Sequence, residues 1–161
     1  MNVQRDKGRL VRVSGAAGIL GPVIFVTTFL LDGLLTPGYS LIDRPISDLA
    51  LTGTYGWVQD ANFAALGILL VVFAFGFSIL IQAINHHRLR LASSILLVVS
   101  GAAYVLVAIF PAQAVGESPL VLHALMHSIG FSAIFLSYGL ALLLTGVAFR
   151  GIRGSWHRLA W

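Results

Sequence analysis

Four uninterrupted apolar stretches, each long enough to cross a bilayer, constrain this chain more than any other feature. A helix needs about 20 apolar residues to cross the hydrocarbon layer, and an isolated stretch of that length satisfies its own backbone hydrogen bonds in lipid only as a helix. The sequence therefore predicts an all-α, integral membrane, antiparallel four-helix bundle, as a single polytopic domain over residues 1–161. The predicted spans are about 13–34, 61–83, 91–110 and 120–149, with a long connection over 35–60.

The composition excludes a soluble globular domain. Apolar residues make up 58% of the chain and charged residues 10%, whereas soluble domains carry roughly 25% charged residues. There is no cysteine, which excludes a disulfide framework and a thiolate metal site.

The basic residues predict the orientation of the bundle. All but one of the ten Lys and Arg residues flank the spans on one side, and the exception is Arg44 in the 35–60 connection. The positive-inside rule then predicts a multi-pass protein of the plasma membrane with both termini in the cytoplasm. This pattern explains the basic charge without a nucleic-acid partner, and the predicted partner is the lipid bilayer itself. The basic flanking residues are Arg5, Lys7, Arg9, Arg12, Arg88, Arg90, Arg150, Arg153 and Arg158.

The 35–60 connection is far longer than the roughly 2–8 residues that usually join helices in a bundle. Within it, Ser47 or Asp48 is predicted to cap a short helix. The apolar residues Ile46, Leu49 and Leu51 of that helix are predicted to lie on the bilayer surface.

Acidic and histidine side chains are predicted to converge at the outer end of the bundle. With a rise of about 1.5 Å per residue, Asp32, His127 and Asp60 lie about 30, 35 and 42 Å from the basic inner ends of their helices. His123 lies one helical turn from His127 on the same face. Two imidazoles at this spacing with a carboxylate from another segment are typical of a zinc-type divalent metal site with an open position for water.

The predicted metal ligands are Asp48, Asp60, His123 and His127, with Asp48 and His127 as catalytic residues and Asp32 behind them. Two other interpretations remain open. The same residues are also typical of polar groups at the membrane interface that hydrogen-bond to neighbouring helices or headgroups, and of a proton or ion relay.

Several short motifs resemble a known family of bacterial and archaeal membrane proteins, the domain of unknown function 998. The motifs are Gly21-Pro22, Pro37-Gly38-Tyr39-Ser40, Pro45-Ile46-Ser47-Asp48-Leu49, Trp57, Asn62-Phe63 with Gly67, Phe110-Pro111 and His123. The resemblance implies a six-span protein with an acid shortly after the Phe-Pro pair. This sequence has four spans and Gln113 at that place, which implies a truncated member or a fragment. The family has no assigned activity.

Two classes of function follow from these observations. One is a non-enzymatic membrane protein with a role in transport, sensing or the envelope. The alternative is an outer-face metal-dependent or acid/base enzyme acting on a lipid or headgroup. Because four helices bury little polar interior, association with a second copy or with another membrane protein is also predicted. A stripe of small residues, Ala124, Ser128 and Ser132, is predicted to allow a close approach between helices.

Overall fold

The computed structural model describes residues 3–51, 55–81, 87–113 and 121–149. Within these ranges the chain forms four long α-helices and one short 3-10 helix, η1. All four long helices are long and apolar enough to cross a membrane, which confirms the predicted all-α membrane bundle. In chain order the elements are α1 Val3–Leu35, η1 Ile46–Leu51, α2 Gly56–Leu80, α3 His87–Ile109 and α4 Val121–Phe149.

Helix α1 begins well before the span predicted from hydropathy. Its first turns carry the basic residues that mark the end of the span, and unbranched basic side chains favour helix. Arg12 also donates a hydrogen bond from Nε to the Gly8 carbonyl one turn earlier, at 3.3 Å. The hydropathy pattern therefore located the apolar part of α1 and missed its polar extension.

Consecutive helices pack antiparallel to one another, α1 on α2, α2 on α3 and α3 on α4. Within the described ranges, α1 and α4 make no packing contact comparable to these. The bundle is therefore open along one side, between its first and last helices.

Helices α2 and α3 cross at two glycines. A β-carbon added at Gly67 would lie 2.5 Å from the Gly101 carbonyl oxygen, and one added at Gly101 would lie 2.7 Å from the Gly67 oxygen. Backbones can approach this closely only where neither residue has a side chain, and such small-residue crossings are the usual way in which membrane helices gain packing energy.

Small residues also bring α4 against α3, but not those of the predicted stripe. Gly130 lies against Val107 and the Ala103 carbonyl, whereas Ser128 and Ser132 are exposed. The stripe therefore does not form the α3–α4 contact, and a close approach of another helix to it stays a prediction. Both faces of α4 carry small residues at helical spacing, so the sequence pattern did not indicate which one packs.

The connection between α1 and α2 packs onto one end of the bundle, which we call the loop end. Leu49 of η1 is fully buried, and Ile46 packs against a cluster of buried apolar residues from α2, α3 and α4. The prediction that these side chains lie on the bilayer surface is therefore wrong, because the bundle offers them a protein surface. Neither Ser47 nor Asp48 caps the helix, since η1 already begins at Ile46. The cluster consists of Phe63, Ala103, Val107 and Ile134.

Candidate functional site

A cavity of about 410 Å³, here called the lateral groove, lies in the open side of the bundle. Helices α1 and α4 form its walls, and residues of α2 and α3 form its floor. Its few polar side chains include Thr145, whose hydroxyl donates to the Ala141 carbonyl of its own helix at 2.7 Å. The groove therefore presents a mostly apolar surface. Its lining residues are Ala17, Gly18, Gly21, Pro22, Phe25, Val26, Leu66, Leu70, Phe73, Phe77, Leu97, Tyr104, Tyr138, Ala141, Leu142 and Thr145.

A second cavity of about 380 Å³, here called the loop-end cavity, lies beneath η1. It shares Phe25 and Tyr104 with the lateral groove, so the two cavities adjoin. Aromatic rings dominate its lining, and its polar members are Ser47, Tyr104 and His127. The full lining is Phe25, Pro45, Ile46, Ser47, Phe63, Tyr104, Val107, His127, Phe131, Ile134 and Phe135.

A backbone carbonyl at the end of α3 orients the ring of His127. Its Nδ1 lies 2.8 Å from the Phe110 carbonyl oxygen. The last carbonyls of a helix have no partner within that helix, and Pro111 has no N–H with which to continue it. Because a carbonyl only accepts, Nδ1 carries the proton, and in the neutral ring Nε2 is then an acceptor.

Asp60 of α2 lies near enough to His127 that a positive charge on the ring would stabilise its carboxylate. Its Oδ1 is buried and has no hydrogen-bond partner. Because Asp60 lies in the second turn of α2 and His127 in the second turn of α4, both sit within about 10 Å of the loop-end starts of their helices.

Two buried amide side chains, Gln59 and Asn62, lie beside Asp60 in α2. Gln59 is fully buried and Asn62 almost so. Asn62 donates from Nδ2 to the Phe25 carbonyl of α1 at 3.0 Å, while Gln59 Nε2 and Asn62 Oδ1 have no partner. Asn62 appeared in the sequence only as part of the motif Asn62-Phe63, and Gln59 had no signal beyond its position beside Asp60, because amides carry no charge by which to judge depth.

Asp48 has different partners. Its Oδ2 accepts from Arg44 Nε at 3.2 Å, and the Arg44 guanidinium lies 5.7 Å from the centre of the Tyr39 ring. The Tyr39 hydroxyl lies 3.1 Å from the Pro45 carbonyl, to which it donates. Burial, with the negative charge of Asp48 as the next cause, raises the pKa of Tyr39 above its ordinary value of 10.0, and the charge of Arg44 offsets this in part. These contacts fix the connection over the loop end.

His123 packs edge-on against the Phe110 ring, with ring centres 5.4 Å apart. Within the described ranges, no group of three or more histidine and acidic side chains is placed so that it could hold a metal ion. Of the predicted ligands Asp48, Asp60, His123 and His127, the structure gives a mutual interaction to Asp60 and His127. The zinc-type site remains a prediction.

Long apolar helices that leave most of their side chains exposed to the surroundings define a multi-pass helical membrane protein. The model of the family described as "Protein of unknown function (DUF998)" matches residues 19–161, and the chain therefore belongs to that family. This confirms the resemblance noted from the sequence motifs. No curated protein and no solved structure matches the chain.

Proposed function

We propose that this protein is a non-enzymatic membrane protein that binds a lipid, with an acyl chain in the lateral groove and the headgroup at the loop end. The observation that carries the proposal is the groove itself, which opens between α1 and α4 and is mostly apolar. Its volume falls within the range of small-molecule sites, roughly 300–1,000 Å³. Inside a bilayer an acyl chain is the apolar ligand available at every depth.

The lining favours a lipid over a transported ion or polar solute. A path for ions needs polar groups through the full depth of the membrane, and the groove has only the two tyrosines and Thr145. Polar side chains are instead concentrated at the loop end. This distribution matches a lipid, which is apolar along its chain and polar at one end.

Native mass spectrometry after extraction in mild detergent tests the proposal. Leu142→Trp would fill the groove, because Leu142 lines it and is 55% exposed. Leu143→Trp is the matched control, since Leu143 is 60% exposed but does not line the groove. We expect the wild-type protein and the control to retain a lipid mass that Leu142→Trp loses. Equal retention by the two variants, or no lipid on the wild-type protein, would contradict the proposal.

The same spectrum separates lipid from protein as the occupant of the groove. A second copy or another membrane protein, the predicted partners, would give a dimer or a mixed complex instead of a monomer with added lipid. In the proposed orientation the groove's polar end faces the outside of the plasma membrane and both termini lie in the cytoplasm, because the basic residues flank the opposite end.

A second candidate is an acid/base enzyme acting on a lipid or headgroup. It is favoured by His127, which lines the loop-end cavity, has an accepting Nε2 and interacts with Asp60. Asp48, the other predicted catalytic residue, is paired with Arg44, so Asp60 is the better supported partner. Incubation of the purified protein with membrane lipids would show a product that disappears in His127→Ala. Absence of any product would refute this candidate and leave lipid binding unaffected.

A further inference from the structure

The proline inside α1 leaves a backbone carbonyl without its usual partner in a wall of the lateral groove. Pro22 lies within the helix and has no N–H to donate to the carbonyl one turn earlier, which is that of Gly18. Both residues line the groove, where Gly18 is half-buried and Pro22 is exposed. The α1 wall of the groove therefore carries a hydrogen-bond acceptor that its own helix does not pair.

Two tyrosine hydroxyls supply donors to the same groove. Tyr104 of α3 and Tyr138 of α4 both line it, and the described part of the chain gives neither hydroxyl a hydrogen-bond partner. Tyr104 is half-buried, but its hydroxyl is not sealed off within the protein. Tyr138 is 42% exposed. A ligand in the groove can therefore reach both hydroxyls.

These polar groups lie at a similar depth, because long side chains on a helix lean toward its N-terminus. Since α3 and α4 are antiparallel, Tyr104 and Tyr138 lean toward each other, and they are near enough to interact electrostatically. The Tyr104 ring packs against that of Phe25 with centres 6.1 Å apart, and Phe25 leans along α1 toward Gly18. Gly18 and Tyr138 both lie near the middle of their helices, so the polar groups face the middle of the groove.

A hydroxyl group on the ligand matches this arrangement. A hydroxyl has one O–H to donate and two lone pairs with which to accept, and the groove offers one carbonyl acceptor and two phenolic donors. A purely hydrocarbon chain would leave all three groups without a partner, and unpaired polar groups cost free energy in hydrocarbon. A ketone on the chain would pair with the tyrosines alone, because it has no proton to donate.

We propose that the lipid in the lateral groove is of the hydroxy-acyl class, with a hydroxyl group near the middle of its acyl chain. The hydroxyl donates to the Gly18 carbonyl and accepts from Tyr104 and Tyr138. This inference rests on the proposed function, because the headgroup at the loop end fixes one end of the chain and the tyrosines then select the depth of the oxygen. The protein thereby distinguishes acyl chains by the position of a single oxygen atom.

The test uses the delipidated full-length protein in detergent and four lipids with the same headgroup and chain length. Their chains are unsubstituted, hydroxylated near the tenth carbon, hydroxylated at the second carbon beside the headgroup, or oxidised to a ketone near the tenth carbon. The readout is the affinity of each lipid in native mass spectrometry.

The expected preference follows from the number of hydrogen bonds. One such bond inside a membrane protein is worth roughly threefold in affinity, so two or more should make the mid-chain hydroxyl bind about tenfold more tightly than the unsubstituted chain. The hydroxyl at the second carbon should bind like the unsubstituted chain, because it lies near the headgroup. The ketone should bind with an affinity between those of the mid-chain hydroxyl and the unsubstituted chain.

Variants assign the preference to the groove. Tyr104→Phe and Tyr138→Phe should each reduce it by roughly threefold, whereas the control Tyr55→Phe should keep it, since Tyr55 is exposed before the start of α2. Pro22→Ala should also reduce it, because alanine restores the N–H that pairs with the Gly18 carbonyl. Alanine favours the helix, so this variant is not expected to lose its fold.

The outcomes separate the two proposals. Failure of all four lipids to bind would overturn the proposed function and this inference together. Equal binding of the mid-chain hydroxyl and the unsubstituted chain would leave lipid binding in place and overturn the hydroxyl assignment. A ketone that binds as tightly as the hydroxyl, or a preference that survives in both tyrosine variants of the groove, would also overturn it.

Discussion

Replacement of Gly101 by alanine tests the close contact between the backbones of α2 and α3. The new β-carbon would lie 2.7 Å from the Gly67 carbonyl oxygen, 2.7 Å from Val71 Cγ2 and 3.2 Å from the Val71 nitrogen. Two of these atoms belong to the backbone of α2 and cannot rotate away. To accommodate one methyl group, α2 and α3 must therefore move apart along their crossing.

The expected cost follows from comparison with a second glycine. Overpacking of a close-fitting interface costs roughly 1–3 kcal/mol, while alanine gains about 1 kcal/mol over glycine in a helix. Gly139→Ala carries the same helix gain without the clash, because nothing lies within 4 Å of a β-carbon at Gly139. The difference between the two variants isolates the clash, and we expect Gly101→Ala to be less stable than Gly139→Ala by about 1–3 kcal/mol.

The assay is reversible unfolding in mixed micelles with an increasing fraction of denaturing detergent, followed by tryptophan fluorescence. Gly101→Ala should unfold at a lower detergent fraction than the wild-type protein, and Gly139→Ala at the same fraction or a higher one. If the two alanine variants unfold together, the Gly67–Gly101 crossing does not hold α2 and α3 together and the packing argument is wrong.

Three further predictions concern a helix contact, the connection and the orientation. Ser14→Ala removes the hydrogen bond that the buried hydroxyl of α1 donates to the Val72 carbonyl of α2 at 2.8 Å, and it should lower the free energy of unfolding by about 0.6 kcal/mol. The control Ser128→Ala loses a bond only within its own exposed turn, and it should cause no measurable change in the same assay. Asp48→Asn should lower the pKa of Tyr39, because it removes one of the negative charges that raise this pKa. The pKa is measured from the phenolate absorbance, and the part of the signal that disappears in Tyr39→Phe belongs to Tyr39. An unchanged titration in Asp48→Asn would contradict the loop-end geometry. Since the folded protein holds the Tyr39 proton above its ordinary pKa, the contribution of this group to the free energy of unfolding should decrease as pH rises above 10.0. In intact cells, a cysteine at Asp43 should react with a membrane-impermeant thiol reagent and one at Lys7 should not, against a background without native cysteine; the reverse pattern would invert the proposed orientation.

The apolar stretches predicted the helices because the hydrocarbon layer sets their length and leaves no alternative to intrahelical hydrogen bonds. Hydropathy did not predict the part of α1 before residue 13, because a polar helix can extend into the headgroup region and water. The surface position predicted for the side chains of η1 was wrong because Leu49 is buried and Ile46 half-buried by contacts with other parts of the bundle. A local pattern of apolar residues indicates that a helix face is removed from water, but it does not indicate whether lipid or another part of the protein surrounds that face.

The sequence predicted how far along the bundle the site residues lie, but it predicted only some of the contacts among them. Counting helical rise placed Asp60 and His127 near one end of the bundle, and the structure gives them a mutual interaction. Asp48 follows Arg44 by one turn in the connection, and this local ion pair competes with any role deeper in the bundle. The lateral groove had no signal in the sequence, because it depends on α1 and α4 failing to pack, which is a property of the assembled helices.

Lipids with a photoreactive group on the acyl chain test the central claim most directly. After crosslinking in native membranes, peptide mapping should place the adducts on the groove residues of α1 and α4, such as Val26 and Leu142. Neighbouring residues that are equally exposed but lie outside the groove, such as Val23 and Leu143, should be labelled far less. Equal labelling of the two sets would show that lipid merely surrounds the bundle, and it would contradict the assignment of the lateral groove as a lipid-binding site.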